Sequence, residues 1–192
     1  MYVTTKQTDT ERSLAVEEIL EDIPGGGVIE KDDIPTSSSG IKEGTLVGVD
    51  TSGIYHIVKT AMVAHAASTN ANALVVYDNH EFKVGDHLGT SASGIASGCI
   101  ITAIAASGAG LGIITCAWAG PNIAASGILV AATGLGHSFF KYNPVGISTN
   151  YVERDKENTG CGIVVRGRVR QNLMPYHIDD TLKTKLPLIR FV

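Results

Sequence analysis

Between Asp86 and Lys141 the chain carries no Asp, Glu, Lys or Arg, a charge-free run of 54 residues in a protein of 192. Aromatic residues are scarce too, at 6% with a single tryptophan, Trp118, so no clustered platform for stacking sugars or bases is in sight. Cysteine is limited to Cys99, Cys116 and Cys161, odd in number, without CxxC spacing and set among small or apolar residues. That pattern argues against a disulfide frame or a zinc site and for reduced, buried thiols made in a reducing cytosol. No basic block capable of neutralising a phosphate backbone occurs, and the net charge is -4, so nucleic acid is not an expected partner. MYVTTKQTDTER has no basic region followed by an apolar run, and no N-x-[ST] acceptor is present, so no secretory signal is expected.

The charge that is present is lopsided. Residues 1–43 hold ten acidic and four basic side chains and residues 141–192 hold five and nine, so the two ends are expected to attract each other. Near the start, Thr8, Asp9 and Thr10 are cap candidates ahead of Leu14, Val16, Ile19 and Leu20, which are interleaved with Glu17, Glu18 and Glu21. This spacing predicts a three-turn amphipathic helix ending before Pro24. A helix so short needs a partner surface, which makes Leu14, Ile19, Leu20 and Ile23 candidate contact residues. Pro24 to Gly40 gathers Gly, Pro and Ser and reads as an extendable linker. The expected organisation is therefore an arm and linker over residues 1–39 and a β-rich domain over residues 40–192.

From Ile41 the pattern turns to β. GTLVGVD and IYHIVKT are β-branched runs joined by Asp50-Thr51-Ser52-Gly53, a hairpin in which Asp can bond the turn backbone and Gly supplies a positive φ. Ala73 to Tyr77 (ALVVY) reads as a further strand, and a tight turn falls at Gly85 and Asp86. The charge-free run is long enough at Cys99 to Gly120 to span a bilayer. Gly108, Gly110 and Gly112 would break such a helix at its midpoint, and neither flank carries Lys or Arg anchors. Read as strands, CIITAIAAS, IITCAWA and IAASGILVAA are punctuated by GAGLG and Gly120-Pro121-Asn122, so no membrane association is expected. Strands this free of charge are expected to be covered by their own domain or by other subunits.

At the other end GCGIVVRGRVRQ alternates, placing Arg166, Arg168 and Arg170 on one strand face, a basic stripe that can meet carboxylates of the acidic arm or of a neighbouring subunit. An Asp-capped helical turn over Asp179 to Leu186 and a last strand over Leu188 to Val192 close the chain. Catalytic motifs do not emerge. Asp50-Thr51-Ser52-Gly53 echoes the Asp-Thr-Gly loop of aspartic proteases but lacks its spacing and a second copy. Gly108-Ala-Gly110-Leu-Gly112 is not a dinucleotide fingerprint, and the six histidines form no HExxH. No catalytic, cofactor-binding or metal residue is assigned.

GTLVGVDTSGIYHIVKTA, EFKVGDHLG, CIITAIAASGAGLGIITC, ASGILVAA, FKYNPVGIS and CGIVVRGRVRQNLMPYHIDDTLKTKLPLIRFV, covering about residues 40–192, resemble the head decoration proteins of tailed bacteriophages. These are auxiliary capsid proteins, also called head fibre proteins, of phages that infect Bacteroidota, crAss-like phages among them. The most specific pieces are KVGD at Lys83 to Asp86 and the ending RGRVRQNLMPY…LPLIRFV. The strand spacing of eight to twelve residues suits an all-β barrel or sandwich, and the resemblance implies a small β-rich module bound to the outer capsid surface of the virion, a structural protein and not an enzyme, with the major capsid protein and other head fibre proteins as partners. Self-association, with a trimer favoured, is expected from the uncharged strands. The interface candidates are Leu14, Ile19, Leu20, Ile23, Arg166, Arg168 and Arg170. The competing reading is a capsid-displayed module that adheres to a host surface or glycan.

Overall fold

A computed structural model describes residues 15–34, 38–91, 99–134, 140–154 and 160–192. Along the chain come β1 (Val16–Asp22), β2 (Gly27–Val28), β3 (Gly40–Ile41), β4 (Leu46–Val49), β5 (Tyr55–Ile57), β6 (Thr60–Met62), β7 (Ala73–Tyr77), β8 (His87–Thr90) and β9 (Cys99–Ile100). There follow β10 (Ala103–Gly108), β11 (Leu111–Thr115), β12 (Ile128–Ala131), β13 (Asn143–Ser148), β14 (Val152–Glu153), β15 (Gly160–Cys161), β16 (Ile163–Val169) and β17 (Ile189–Phe191). A short helix, α1 (Asp180–Thr184), precedes the last strand. The all-β class expected from the sequence is the class the chain adopts.

Three sheets carry the architecture. The largest runs β1-β16-β13-β4-β5 with β17 alongside β16, the second β10-β11-β7, and the third β6-β12-β8-β9. Local chemistry explains the turns between them. In the β4–β5 hairpin Asp50 Oδ1 accepts the backbone N–H groups of Ser52 and Ile54, both at 2.8 Å, and Gly53 sits at φ 81°. The Asp50 carboxyl is held below its ordinary range, chiefly by the Ile54 N–H. Asp179 caps α1 by accepting the Leu182 N–H at 2.9 Å, as its position before an apolar turn leads one to expect.

Two cores meet at β12, whose four residues are all buried. Leu129 joins Leu74, Leu88, Ile101, Ile114 and Trp118 on one side, while Ile128 and Val130 join Leu46, Ile147, Val164 and Leu182 on the other. A strand with core on both faces has no position for a charge, which accounts for ILVA within the charge-free run. No helix among the described residues is long and apolar enough to cross a membrane. The run forms β8 to β12 instead, but the expected cover is uneven: β12 is enclosed, whereas Ala103, Ala105, Ala106, Ser107 and Gly108 of β10 are exposed.

The N-terminal expectation needs correction. Residues 1–14, with Leu14, lie outside the described residues. Where a helix was expected after them, Val16–Asp22 is a strand, paired antiparallel with β16 from Val16↔Val169 to Asp22↔Val164 through three register shifts. The doublets Glu17-Glu18 and Ile19-Leu20 satisfy a helical period locally, but the β16 strand with its arginines offers a hydrogen-bonded ladder, bulged as it is, and opposite charge. Nor is Pro24 to Gly40 a free linker. Ile29 and Ile34 are 6% and 4% exposed in a third core with Ile41, Val47 and Ile57, and β2 pairs with β15.

Candidate functional site

The stripe of Arg166, Arg168 and Arg170 is exposed on β16, alternating with buried Gly167 and Val169. Glu17 reaches across from β1 and joins two of them: Oε2 lies 2.9 Å from Arg168 Nε and Oε1 2.8 Å from Arg170 Nη2. The hydrogen bond from Arg170 is the main reason that the Glu17 carboxyl sits below its usual range. The acidic start and basic finish of the chain thus meet inside one sheet. Beside them Ile19 and Leu20 are 51% and 62% exposed on the edge strand. Ile23 turns inward instead, packing on the core that contains Ile29 and Ile34.

A second set of charged groups is buried. Lys59 is 4% exposed, and its Nζ lies 2.8 Å from Asp86 Oδ2, which also accepts the Lys83 backbone N–H at 3.0 Å. Burial holds the Lys59 pKa down against the pull of Asp86. One carboxylate therefore closes the Lys83–Asp86 turn and neutralises a buried ammonium. His56 is gripped between carboxylates, Nδ1 2.6 Å from Asp33 Oδ2 and Nε2 3.5 Å from Asp50 Oδ2, with Tyr142 stacked on its ring at 3.7 Å. Both ring nitrogens face acids, so neither is aimed at a nucleophile, and the assembly ties the Lys31–Asp33 turn to the β4–β5 hairpin. Among the described residues no three His, Cys, Asp or Glu side chains gather as a metal site.

A cleft of about 760 Å³ opens between the β10–β11 hairpin and the Asp78–Lys83 loop. Asp78, His80, Glu81 and Lys83 line one wall, Ile104, Ala105, Ala106 and Gly112 the other, and Asp32, Ile34, Ser38 and Arg154 close the end. The loop is held by backbone bonds from Asp78 N–H to Gly110 O and from His80 N–H to Asp78 O, each 3.0 Å. The Phe82 N–H donates to His80 Nδ1 at 3.2 Å, and burial lowers the His80 pKa, so the ring is neutral and carries its proton on Nε2. Glu81, 8% exposed, accepts the Tyr176 hydroxyl, and burial raises its carboxyl above the ordinary value.

Of the sequence candidates Ile19, Leu20, Arg166 and Arg168 fall on β1 and β16, Ile23 and Arg170 just beyond their ends, and none lines this cleft. The polar loop DNHEFK between ALVVY and VGD was the available signal, since it packs four ionisable side chains into a connection between strands. The small residues opposite it come from a hairpin some 25 positions later and announce nothing by themselves. Trp118, the one tryptophan, is 1% exposed and donates its indole N–H to Pro121 O at 3.0 Å, a core role. Comparison with known proteins returned no matching family model, no matching curated protein and no matching solved structure.

Proposed function

We propose that this is a structural protein of a tailed-phage virion, bound to the outside of the capsid, where it decorates and stabilises the head. The observation that carries the reading is the uncharged sheet β10-β11-β7. Its outward residues, Ala73, Val75, Tyr77, Ala103, Ala105, Leu111, Ile113 and Thr115, include no charge, and its β10 edge is exposed along nearly its whole length. Free edges and apolar faces of lone soluble domains are ordinarily broken by charge, whereas subunits of an assembly leave them plain for a neighbour. The neighbours proposed for this face are further copies of the chain, three around a local axis.

The proposed capsid contact is the β1 edge, where exposed Ile19 and Leu20 sit among Glu18, Glu21 and Asp22 beside the arginine stripe. An apolar centre with a charged rim is the usual anatomy of a protein–protein contact. The sequence resemblance to head decoration proteins supports the same assignment, and the Lys59–Asp86 pair gives its KVGD segment a structural purpose. The test is co-sedimentation of the full-length protein with undecorated heads of the corresponding phage. Saturable binding that Leu20→Glu abolishes is expected; wild-type protein that stays in the supernatant would overturn the reading.

A further inference from the structure

The cleft beside β10 has a wall that alternates in hydrogen-bonding sense. Asp78 offers a carboxylate, His80 an Nε2–H and Lys83 an ammonium whose Nζ already donates to Asp32 O, while the Glu81 carboxyl is taken up by the Tyr176 hydroxyl. The facing wall is aliphatic and shallow. A Cβ placed on Gly112 would lie 3.8 Å from His80 Nε2, so a longer side chain there would fill the space between the two walls. The volume of about 760 Å³ falls within the roughly 300–1,000 Å³ of small-molecule sites.

These features select among ligand classes. A phosphate or other polyanion would have to sit against Asp32 and Asp78, which repel it. A polyamine would meet Lys83, Arg154 and the donor face of His80. A metal ion finds no cluster of three ligands among the described residues. A ligand carrying adjacent hydroxyls suits the mixed wall, because each hydroxyl both donates and accepts. Its C–H face would then rest on Ala106 and Gly112 beside Ile104, where small side chains let a ring approach the backbone.

We propose that this cleft binds a saccharide, with the hydroxyls of one sugar ring engaging Asp78 and His80 and the apolar ring face lying on β10. The site stands on its own geometry and does not depend on capsid attachment. Full-length protein is screened on an array of neutral and acidic glycans, and the best-bound oligosaccharide is then titrated free in solution, with inorganic phosphate and spermidine as competitors. Asp78 and Ala106 are exposed, so Asp78→Asn and Ala106→Phe alter the cleft without disturbing a core. Each is expected to weaken the sugar by about tenfold or more, the scale of one lost charge-assisted hydrogen bond or one occluded ring, while Arg168→Ala leaves it unchanged. Absence of any bound glycan, an affinity indifferent to both cleft substitutions, or displacement by phosphate or spermidine as readily as by free sugar would each overturn the assignment.

Discussion

Among the described residues two long exposed edge strands, β1 and β10, are built on opposite terms. β1 carries Glu17, Glu18, Glu21 and Asp22, is interrupted by three register shifts, and trades ion pairs with β16. β10 has Ala, Ile, Ser and Gly only, and pairs with β11 in register from Ala103↔Thr115 to Ala106↔Gly112. Charge and bulges are what keep a free edge from accepting a stray strand. The guarded edge thus belongs to the charge-bearing half of the chain and the open one to the charge-free half. The difference teaches that the absence of charge needs two accounts: enclosure at β12, where no charge could be solvated, and at β10, where one could be, the subunit contact proposed above.

The comparison breaks most severely at the joint between the halves. Lys59 lies between the β5 end of the large sheet and β6 of the four-stranded one, and Asp86 leads into β8. Replacing Asp86 with Ala strands an ammonium that is 4% exposed and opens the turn at Gly85, whose φ is 93°. A loss of about 3–5 kcal/mol is expected in urea unfolding, the usual result of removing one partner of a buried pair. An unchanged midpoint would mean that Lys59 is neutral or finds another acceptor, and that the halves do not depend on this pair.

Acid sharpens the comparison, because His80, Glu81 and His177, whose burial shifts their protonation, lie beside the uncharged sheet. The His80 pKa is lowered from 6.5, so the unfolded chain binds more protons and stability is fully present above that value and lost as pH falls below it. His177, pushed the same way by partial burial, adds to this with solvent screening. Glu81, raised from 4.5, works in the opposite sense, its contribution being complete below that value and lost as pH rises. Thermal midpoints should therefore fall from about pH 7.5 to 5.5, and His80→Gln should flatten the fall. A variant with the wild-type slope would show that His80 is not the group responsible.

How far these features could be read in advance depended on the reach of the interaction that fixes them. The Asp50–Gly53 turn and the Asp179 cap are set by contacts within four residues, and both are legible; ALVVY is legible from its β-branched composition although its partner strand, β11, lies far along the chain. Val16–Asp22 was not, because its doublets serve either period and the deciding partner, β16, lies nearly 150 positions away. The arginine stripe was visible as an alternation, while its partner, Glu17, had been placed on a helix. For the cleft, one wall showed as a polar loop and the other as nondescript alanines; only the fold of the β10–β11 hairpin brings them face to face.

Guarding the open edge is a milder intervention. Ala105 is exposed on β10, and Ala105→Glu gives that edge the charge that β1 already has. Stability is expected to change by no more than about 0.5 kcal/mol, as for most surface substitutions. On the proposed contact, light scattering should show oligomers for the wild-type chain and monomer for Ala105→Glu. Oligomers that persist in the variant would move the subunit contact away from β10.

The smallest effect is expected at the guarded edge itself. Glu17→Gln removes the shared carboxylate between Arg168 and Arg170, leaving three exposed arginines two residues apart on one strand. The Glu17 pKa is lowered from 4.5, so its contribution is present above that value and disappears as pH falls through the folded one. Both arginines are about half exposed, so water and salt screen the interaction and the backbone ladder to β16 continues to hold the strand. The thermal midpoint should drop slightly in low salt at neutral pH, and the drop should vanish in molar salt or in acid. A large, salt-independent loss would show that β1 is fastened by this ion pair and not by its ladder, and that the edge bearing charge is the more fragile of the two.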